Sequence, residues 1–370
     1  MITASKSALA AALKARKGIV ERRNTIPILA NVGFERGPAG LQLRMTDLDI
    51  EGTIDCPADL DMEFQPFTVP AEMLGQIVDK LPDGQIKIKL DAGKTQAQIS
   101  VGRSRFELQV LPIGDLPTMV SFADGAAPTK CTTGVKDLLA AIGSVAFAIS
   151  TEETRYYLNG IYIHSGADGA LLVATDGHRL AKRWLRIDGE APPGVIMPRK
   201  TVAALIPILN DLPKDAQVTI EANDSKIALT MPGIKITSKL IDGTFPNYRA
   251  VIPAPGAPMA EFEGKILKPA IERVTTIVSE RGRAVKCAFS DGQLMLTVNN
   301  PDAGSAEETI AVEGNLQIEA GFNGKYVLEA LKMLSDGPLT LAMQEAGSPA
   351  ILRTDGDHEE NLIVLMPMRV

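Results

Sequence analysis

Residues 134–149, GVKDLLAAIGSVAFAI, place Val135, Leu138, Leu139, Ile142 and Ala146 at the spacing of one buried stripe on an α-helix. The spacing recurs at residues 5–18, SKSALAAALKARKG, through Leu9, Ala12, Leu13 and Arg16. It recurs again at 264–279, GKILKPAIERVTTIVS, through Ile266, Leu267, Ala270, Ile271, Val274 and Ile277. Three starts at near-equal intervals point to three copies of one unit.

A second helical pattern follows in each third. Residues 69–82, VPAEMLGQIVDKLP, offer Met73, Leu74, Ile77, Val78 and Leu81, and residues 197–213, MPRKTVAALIPILNDLP, offer Val202, Leu205, Ile206 and Leu209. Residues 322–338, FNGKYVLEALKMLSDGP, offer Val327, Leu331 and Leu334. Asn323 stands where an N-cap belongs. Pro207 lies inside the middle helix and predicts a bend or break there, because proline cannot donate to the preceding turn.

Alternating runs follow each second helix: GQIKIKLD (84–91) and TQAQISV (95–101); AQVTIEA (216–222), KIALTM (226–231) and IKITSKL (234–240); PLTLAMQ (338–344), PAILRT (349–354) and NLIVLM (361–366). Period-two alternation wets one face of a strand and buries the other. Each copy therefore reads as two helices on one face of an antiparallel sheet, an α+β arrangement. Gly, Pro and Ala concentrate at 121–131, SFADGAAPTKC, and 250–262, AVIPAPGAPMAEF. Domains are expected over residues 1–125, 126–254 and 255–370.

The chain has 370 residues, 45% hydrophobic and 22% charged, a folded composition too long for one ordinary core. The N-terminus lacks the leucine-rich core of a signal peptide, and no apolar run approaches the roughly 20 residues of a bilayer span. A cytoplasmic location is expected. Net charge is −7, yet residues 1–24 hold Lys6, Lys14, Arg16, Lys17, Arg22 and Arg23 against Glu21 alone. Residues 264–286 hold Lys265, Lys268, Arg273, Arg281, Arg283 and Lys286 against Glu272 and Glu280. An acidic protein with a basic face for nucleic acid is thus allowed, as are ordinary solvated helix faces.

Cys56, Cys131 and Cys287 are widely separated and read as reduced core residues. His164, His178 and His358 form no metal-ligand spacing, so no metal or other cofactor is expected. Asp176 and His178 in ATDGHRL have no nucleophile placed with them, which argues against an enzyme.

The segments ETRYYLNG (153–160), ATDGHRLAK (174–182), DGTFPNYRAVIP (242–253), GFNGKYVLEAL (321–331) and VLMPMRV (364–370) resemble, in order and along the whole chain, the bacterial DNA polymerase III beta subunit, or beta sliding clamp, family. The resemblance implies three clamp domains per subunit and a head-to-tail homodimer. Six domains then close a ring, with twelve helices lining the hole and continuous sheets outside. It implies a non-catalytic processivity factor that encircles double-stranded DNA without reading sequence and tethers the polymerase. The runner-up is a clamp-fold scaffold or DNA-binding protein that does not act as a processivity ring; no helix-turn-helix signature or basic tail favours it.

The resemblance also assigns residues. Arg23, Arg155, Tyr156, Tyr157, Arg199 and Lys200 match or adjoin DNA-contacting positions, with Glu152 replacing a neutral polar residue of the family. Phe106, Ile277 and Val278 match the apolar dimer contact. An apolar groove is expected from Leu158, Thr175, Gly177, His178, Arg179, Leu180, Pro246, Val251, Asn323, Tyr326, Val364, Leu365, Met366, Pro367, Met368 and Arg369, with Ala250 where the family carries a second arginine. Partners implied for the groove are the polymerase III alpha subunit, the clamp loader through its delta subunit, other DNA polymerases, mismatch-repair proteins and DNA ligase, each docking a short extended peptide.

Overall fold

The computed structural model describes residues 1–370 apart from 22–24, 120–121, 123–125, 254–255, 279–283, 335 and 370. Arg22, Arg23, Arg281 and Arg283 lie outside the described residues, among them the expected DNA contact Arg23. The chain folds as two compact units. One comprises Met1–Leu139, Ala167–Gly169 and Arg186–Asp242; the other comprises Ala140–Gly166, Ala170–Leu185 and Gly243–Val370. Among the described residues no helix is long and apolar enough to cross a membrane.

The first unit is built on one antiparallel sheet. Its path runs Asp188–Gly189, Thr129–Gly134, Gln217–Ala222, Lys226–Met231, Ile234–Lys239, Ile50–Leu60, Ile2–Ser5, Gln85–Leu90, Gln96–Val101 and Ser104–Gln109, with Gly40–Thr46, Asn31–Gly37 and Phe67–Pro70 branching from Ile50–Leu60. Alternation holds as expected: Ile86 and Ile88 are buried between exposed Gln85, Lys87 and Lys89. Helix Lys6–Leu13 starts where the Ser5 hydroxyl accepts from Ala8 N at 3.1 Å, and packs on helix Ala71–Lys80. The first helical stripe is then broken, and Arg16–Ile19 forms a separate turn against helix Arg199–Asp211.

The second unit holds two sheets. One runs Gly160–Ser165, Ala170–Thr175, Arg179–Leu185, Leu362–Leu365, Ala350–Thr354, Pro338–Ala342, Met259–Glu263 and Glu313–Gly314. The other runs Gly304–Ala311, Gln293–Asn300, Ala284–Ser290 and Ile318–Asn323. Helices Gly264–Val274 and Gly324–Leu331 pack on each other, the second capped by Asn323 as expected.

Each unit joins strands of the middle third to strands of a terminal third. Ile234–Lys239 pairs antiparallel with Ile50–Leu60, so that Thr237 faces Glu51; Leu362–Leu365 pairs with Arg179–Leu185, so that Val364 faces Leu180. The turns beside these seams repeat bond for bond. Thr46 Oγ1 donates to Ile50 O and accepts from Leu48 N, while Asp47 Oδ1 accepts from Asp49 N and Ile50 N. Thr175 Oγ1 donates to Arg179 O and accepts from Gly177 N, while Asp176 Oδ1 accepts from His178 N and Arg179 N. Lys239 N reaches Asp49 O at 2.8 Å, and Met366 N reaches His178 O at 2.9 Å. In the third copy Asn300 accepts from Asp302 N at the matching place.

Several expectations change in detail. Pro207 does not interrupt its helix, which runs unbroken over Arg199–Asp211. Its missing N–H removes one bond, and buried Val202, Leu205, Ile208 and Leu209 hold the rest. Pro269 is likewise tolerated inside Gly264–Val274. Met73 and Ile266 were expected in apolar stripes but are exposed, whereas Ala141 and Val145 are buried. The basic runs are partly neutralised: Arg273 pairs with Glu308, Lys265 with Glu263 and Lys286 with Glu319. Cys56, Cys131 and Cys287 are buried and free, and burial pushes their thiols to about 11, 11 and 12.

Arg16 is the sharpest case. Its side chain is 3% exposed, donates to Leu13 O at 3.0 Å and pairs with Glu72 and Asp79 on the neighbouring helix. Gly75 makes room for it, because a Cβ there would overlap the guanidinium. Gly75→Ala should strip a buried charge of its partners and destabilise the first unit by about 3 kcal/mol. Thermal unfolding checks this against the exposed Lys80→Ala, which should melt as wild type; an unshifted Gly75→Ala would mean that Arg16 has room to move.

Candidate functional site

The turn at residues 175–179 sets the geometry of the second unit's surface. It closes the hairpin between Ala170–Thr175 and Arg179–Leu185, and Gly177 adopts φ +88° there, a conformation that glycine takes at no steric cost. Leu158, Leu180, Val364 and Leu365 are buried, with Val364 opposite Leu180 and Leu365 opposite Arg179. Around them His178, Val251 and Met368 are exposed, while Met366, Pro367 and Tyr326 are half-buried. Met368 is tied to this surface through its N–H to Gly321 O at 2.7 Å, and Arg369 follows it, exposed.

Arg179 lies inside this frame, 9% exposed. Its Nε donates to Asp176 at 3.1 Å, its Nη1 to Glu329, and its Nη2 to Phe147 O at 2.6 Å. Its plane lies over Tyr326 at 4.4 Å and near Phe147 at 5.0 Å. All three guanidinium nitrogens are engaged, so Arg179 braces the turn against the helix Gly324–Leu331 and offers little to an incoming ligand. His178 stacks on Tyr326 with centroids 6.2 Å apart. Asn323, also buried, spends its side-chain oxygen on Lys325 N and Tyr326 N.

Pro246 and Val251 arrive on a linker fastened to the strand Gly160–Ser165. Phe245 stacks on Tyr162 at 4.8 Å with planes 5° apart, and Tyr248 Oη lies 3.0 Å from His164 Nε2. His164 Nδ1 donates to Ser165 O at 2.7 Å, so Nε2 is the acceptor for the tyrosine hydroxyl. Burial holds His164 below its ordinary range, and Arg249 and Lys182 push the same way. Sequence reasoning missed His164, Tyr162 and Phe147; alternating aromatic positions opposite FPNY were the available sign.

Arg155 sits in the 3-10 turn Glu153–Leu158, with Nη2 2.7 Å and Nε 2.8 Å from Glu152. Its Nη1 lies 2.6 Å from where a Cβ on Gly177 would be, so it borders the groove residues. Tyr156, 53% exposed, meets Tyr157 edge to face at 5.7 Å. In the first unit Arg199 is exposed at its helix start, but Lys200 is held by Asp47 and by Glu21 at 2.8 Å. Burial lowers the Lys200 pKa and those two carboxylates more than reverse it, leaving it above its ordinary value. A phosphate would have to compete with both.

Phe106, 38% exposed, lies on Ser104–Gln109, the last strand of the first unit's sheet. Ile277 and Val278 are half-buried at the end of the turn Thr275–Ile277. Gly304–Ala311 is the terminal strand of the second unit's smaller sheet. Among the described residues no group of three or more His, Cys, Asp or Glu could hold a metal ion.

Family models for the DNA polymerase III beta subunit match in chain order: the N-terminal domain over residues 1–120, the central domain over 133–247 and the C-terminal domain over 249–369. The beta sliding clamp of Caulobacter vibrioides is 37% identical over 377 residues, covering all of both chains. The crystal structure of a sliding clamp from Bartonella birtlesii, solved bound to griselimycin, is 40% identical with a TM-score of 0.89, covering 100% of this chain and 99% of that one. The sliding clamp from Caulobacter crescentus is 36% identical with a TM-score of 0.90 over the same shares. Three helix-on-sheet domains match the clamp fold, and the chain belongs to the DNA polymerase III beta subunit, or beta sliding clamp, family.

Proposed function

We propose that the chain is a DNA sliding clamp: two copies close head to tail around duplex DNA and tether the replicative polymerase to it. The single observation that supports the ring is the seam between successive thirds. Ile50–Leu60 of the first copy takes Ile234–Lys239 of the second, and Arg179–Leu185 of the second takes Leu362–Leu365 of the third. The strand left over at the matching place in the third copy is Gly304–Ala311, and the strand left over in the first is Ser104–Gln109. A second chain supplies each with a partner, and closure removes both edges. Residues 1–125, 126–254 and 255–370 are the three domains that then alternate around the ring. Phe106, Ile277 and Val278 add apolar contact beside the seam.

The clamp catalyses nothing. Its hold on DNA comes from topology, with Arg23 and Arg199 offering charge to phosphates without reading bases, and Tyr156 and Tyr157 offering faces on which a displaced base stacks. Partners use the groove. Short extended peptides of the polymerase III alpha subunit, the clamp loader delta subunit, other DNA polymerases, mismatch-repair proteins and DNA ligase lay apolar side chains over Leu158, Leu180, Val364, Leu365 and the adaptable Met366 and Met368. Arg179 acts by positioning this surface, and Arg155 serves the groove rim beside Gly177. The protein works in the cytoplasm at the replisome.

The reading is tested by loading the protein on nicked circular DNA with its cognate clamp loader and ATP, then cutting the circle. Retention before cutting and release afterwards are expected; loss before cutting, with a loader of verified activity, favours a scaffold. The seam also fixes a register. Transferring Thr237 opposite Glu51 onto the third copy sets Glu107 opposite Gly304 of a second chain, and so Arg105 opposite its Ala306. Arg105→Cys with Ala306→Cys should crosslink two chains on mild oxidation, because facing antiparallel residues lie at disulfide range. Arg105→Cys with Ala311→Cys should not. Arg155→Ala should weaken binding of an alpha-subunit peptide about tenfold, a loss of about 1.4 kcal/mol, and leave the salt dependence of DNA retention unchanged. A changed salt slope with peptide binding intact would return Arg155 to the DNA surface.

A further inference from the structure

Two side chains of one strand grip two side chains of the linker that carries Pro246 and Val251. Tyr162 stacks flat on Phe245, and His164 bonds Tyr248, while the two gripping residues sit two apart on the same face of Gly160–Ser165, with rings 4.9 Å apart. His164 is 9% exposed and Tyr248 6%. The Nδ1 hydrogen is committed to Ser165 O, so the bond to Tyr248 exists in its present sense only while Nε2 is bare. A proton on Nε2 would reverse the sense of that bond, with the tyrosine oxygen accepting, and would bury a charge at the root of the linker.

We infer that neutral His164 is a positioning residue for the partner groove, holding the linker so that Pro246 and Val251 form its rim, and that protonating it lowers affinity for partner peptides. The inference rests on the groove reading given above. The charged and titratable groups facing His164 come from three elements: Tyr248 and Arg249 on the linker, Lys182 on the strand Arg179–Leu185, and Glu360, which is ion-paired to Lys182. Arg249 and Lys182 oppose a further positive charge. Glu360 favours one, but Lys182 already holds its carboxylate. A free clamp relieves the buried proton by letting the linker lift; a clamp with a peptide seated against the rim cannot.

The test is isothermal titration of the full-length protein with a histidine-free synthetic peptide carrying the clamp-binding segment of the cognate alpha subunit, at pH 7.5 and pH 5.5. Wild type should bind about threefold more weakly at pH 5.5. His164→Gln, whose amide oxygen can accept from Tyr248, should bind as wild type at pH 7.5 and show no fall at pH 5.5. His164→Ala should be weak and flat with pH. His178→Gln, in the groove itself, should keep the fall. An equal wild-type affinity at both pH values, or a fall that survives His164→Gln and disappears in His178→Gln, overturns the inference and leaves the groove reading intact. Absence of binding at pH 7.5 overturns both. Melting curves at each pH confirm that every variant is folded.

Discussion

Edge-to-edge pairing of backbone strands between successive copies is the constraint on which the rest of this molecule depends. A single copy leaves one row of amide and carbonyl groups open at each end of its sheets, and an open row invites any other strand. The seams Ile50–Leu60 with Ile234–Lys239 and Arg179–Leu185 with Leu362–Leu365 satisfy those rows inside the chain. They also explain why the compact units cut through the middle third: its strands 129–134 and 217–239 belong to one terminal third's sheet, and its strands 160–185 to the other's. Covalent order gives three copies, while hydrogen bonding joins half of the middle copy to each neighbour.

The same seam builds the site. Because Leu365 pairs with Arg179, the chain that leaves the strand at Met366 runs across the turn at 175–179, and its N–H finds His178 O. At the first seam the equivalent chain, Lys239, runs across Asp49. One frame therefore occurs twice, but the side chains diverge. Gly177 leaves space that Arg155 borders, whereas Leu48 at the matching position holds φ +82° with a bulky side chain. Lys200, at the equivalent helix start, is tied to Asp47 and Glu21, while Tyr326 of the later copy stands beside His178. The two equivalent junctions therefore differ in side chains on a shared backbone frame, and the proposed groove uses only one of them.

The periodicities made the repeat, the helix-on-sheet class and most strands legible, because burial of one face imposes a period that any copy must show. Pairing between copies was not legible, since it joins residues nearly two hundred positions apart through backbone groups that every sequence possesses. Charge was the least legible. Arg16 reads as part of a basic run, yet it is buried against Glu72 and Asp79; Lys200 reads as a phosphate ligand, yet two carboxylates hold it. Arg179 reads as a groove contact, yet its nitrogens are spent on Asp176, Glu329 and Phe147 O. A charge's role depends on what stands opposite, and opposite residues are set by tertiary structure.

This bears on how an acidic protein can slide on DNA. A groove that bound phosphates tightly at fixed points would stop the ring, because each step would break several charge-assisted bonds at once. A lysine already partnered by the protein's own carboxylates, as Lys200 is, would offer a passing phosphate a softened attraction. Pairing of this kind makes for a surface that neither repels a duplex nor grips it, and screening by salt weakens what grip remains. In the ring proposed above, retention would be carried by closure, through one backbone seam at each of its two joints. Affinity for DNA and persistence on DNA become separate properties, set by different residues and free to change independently.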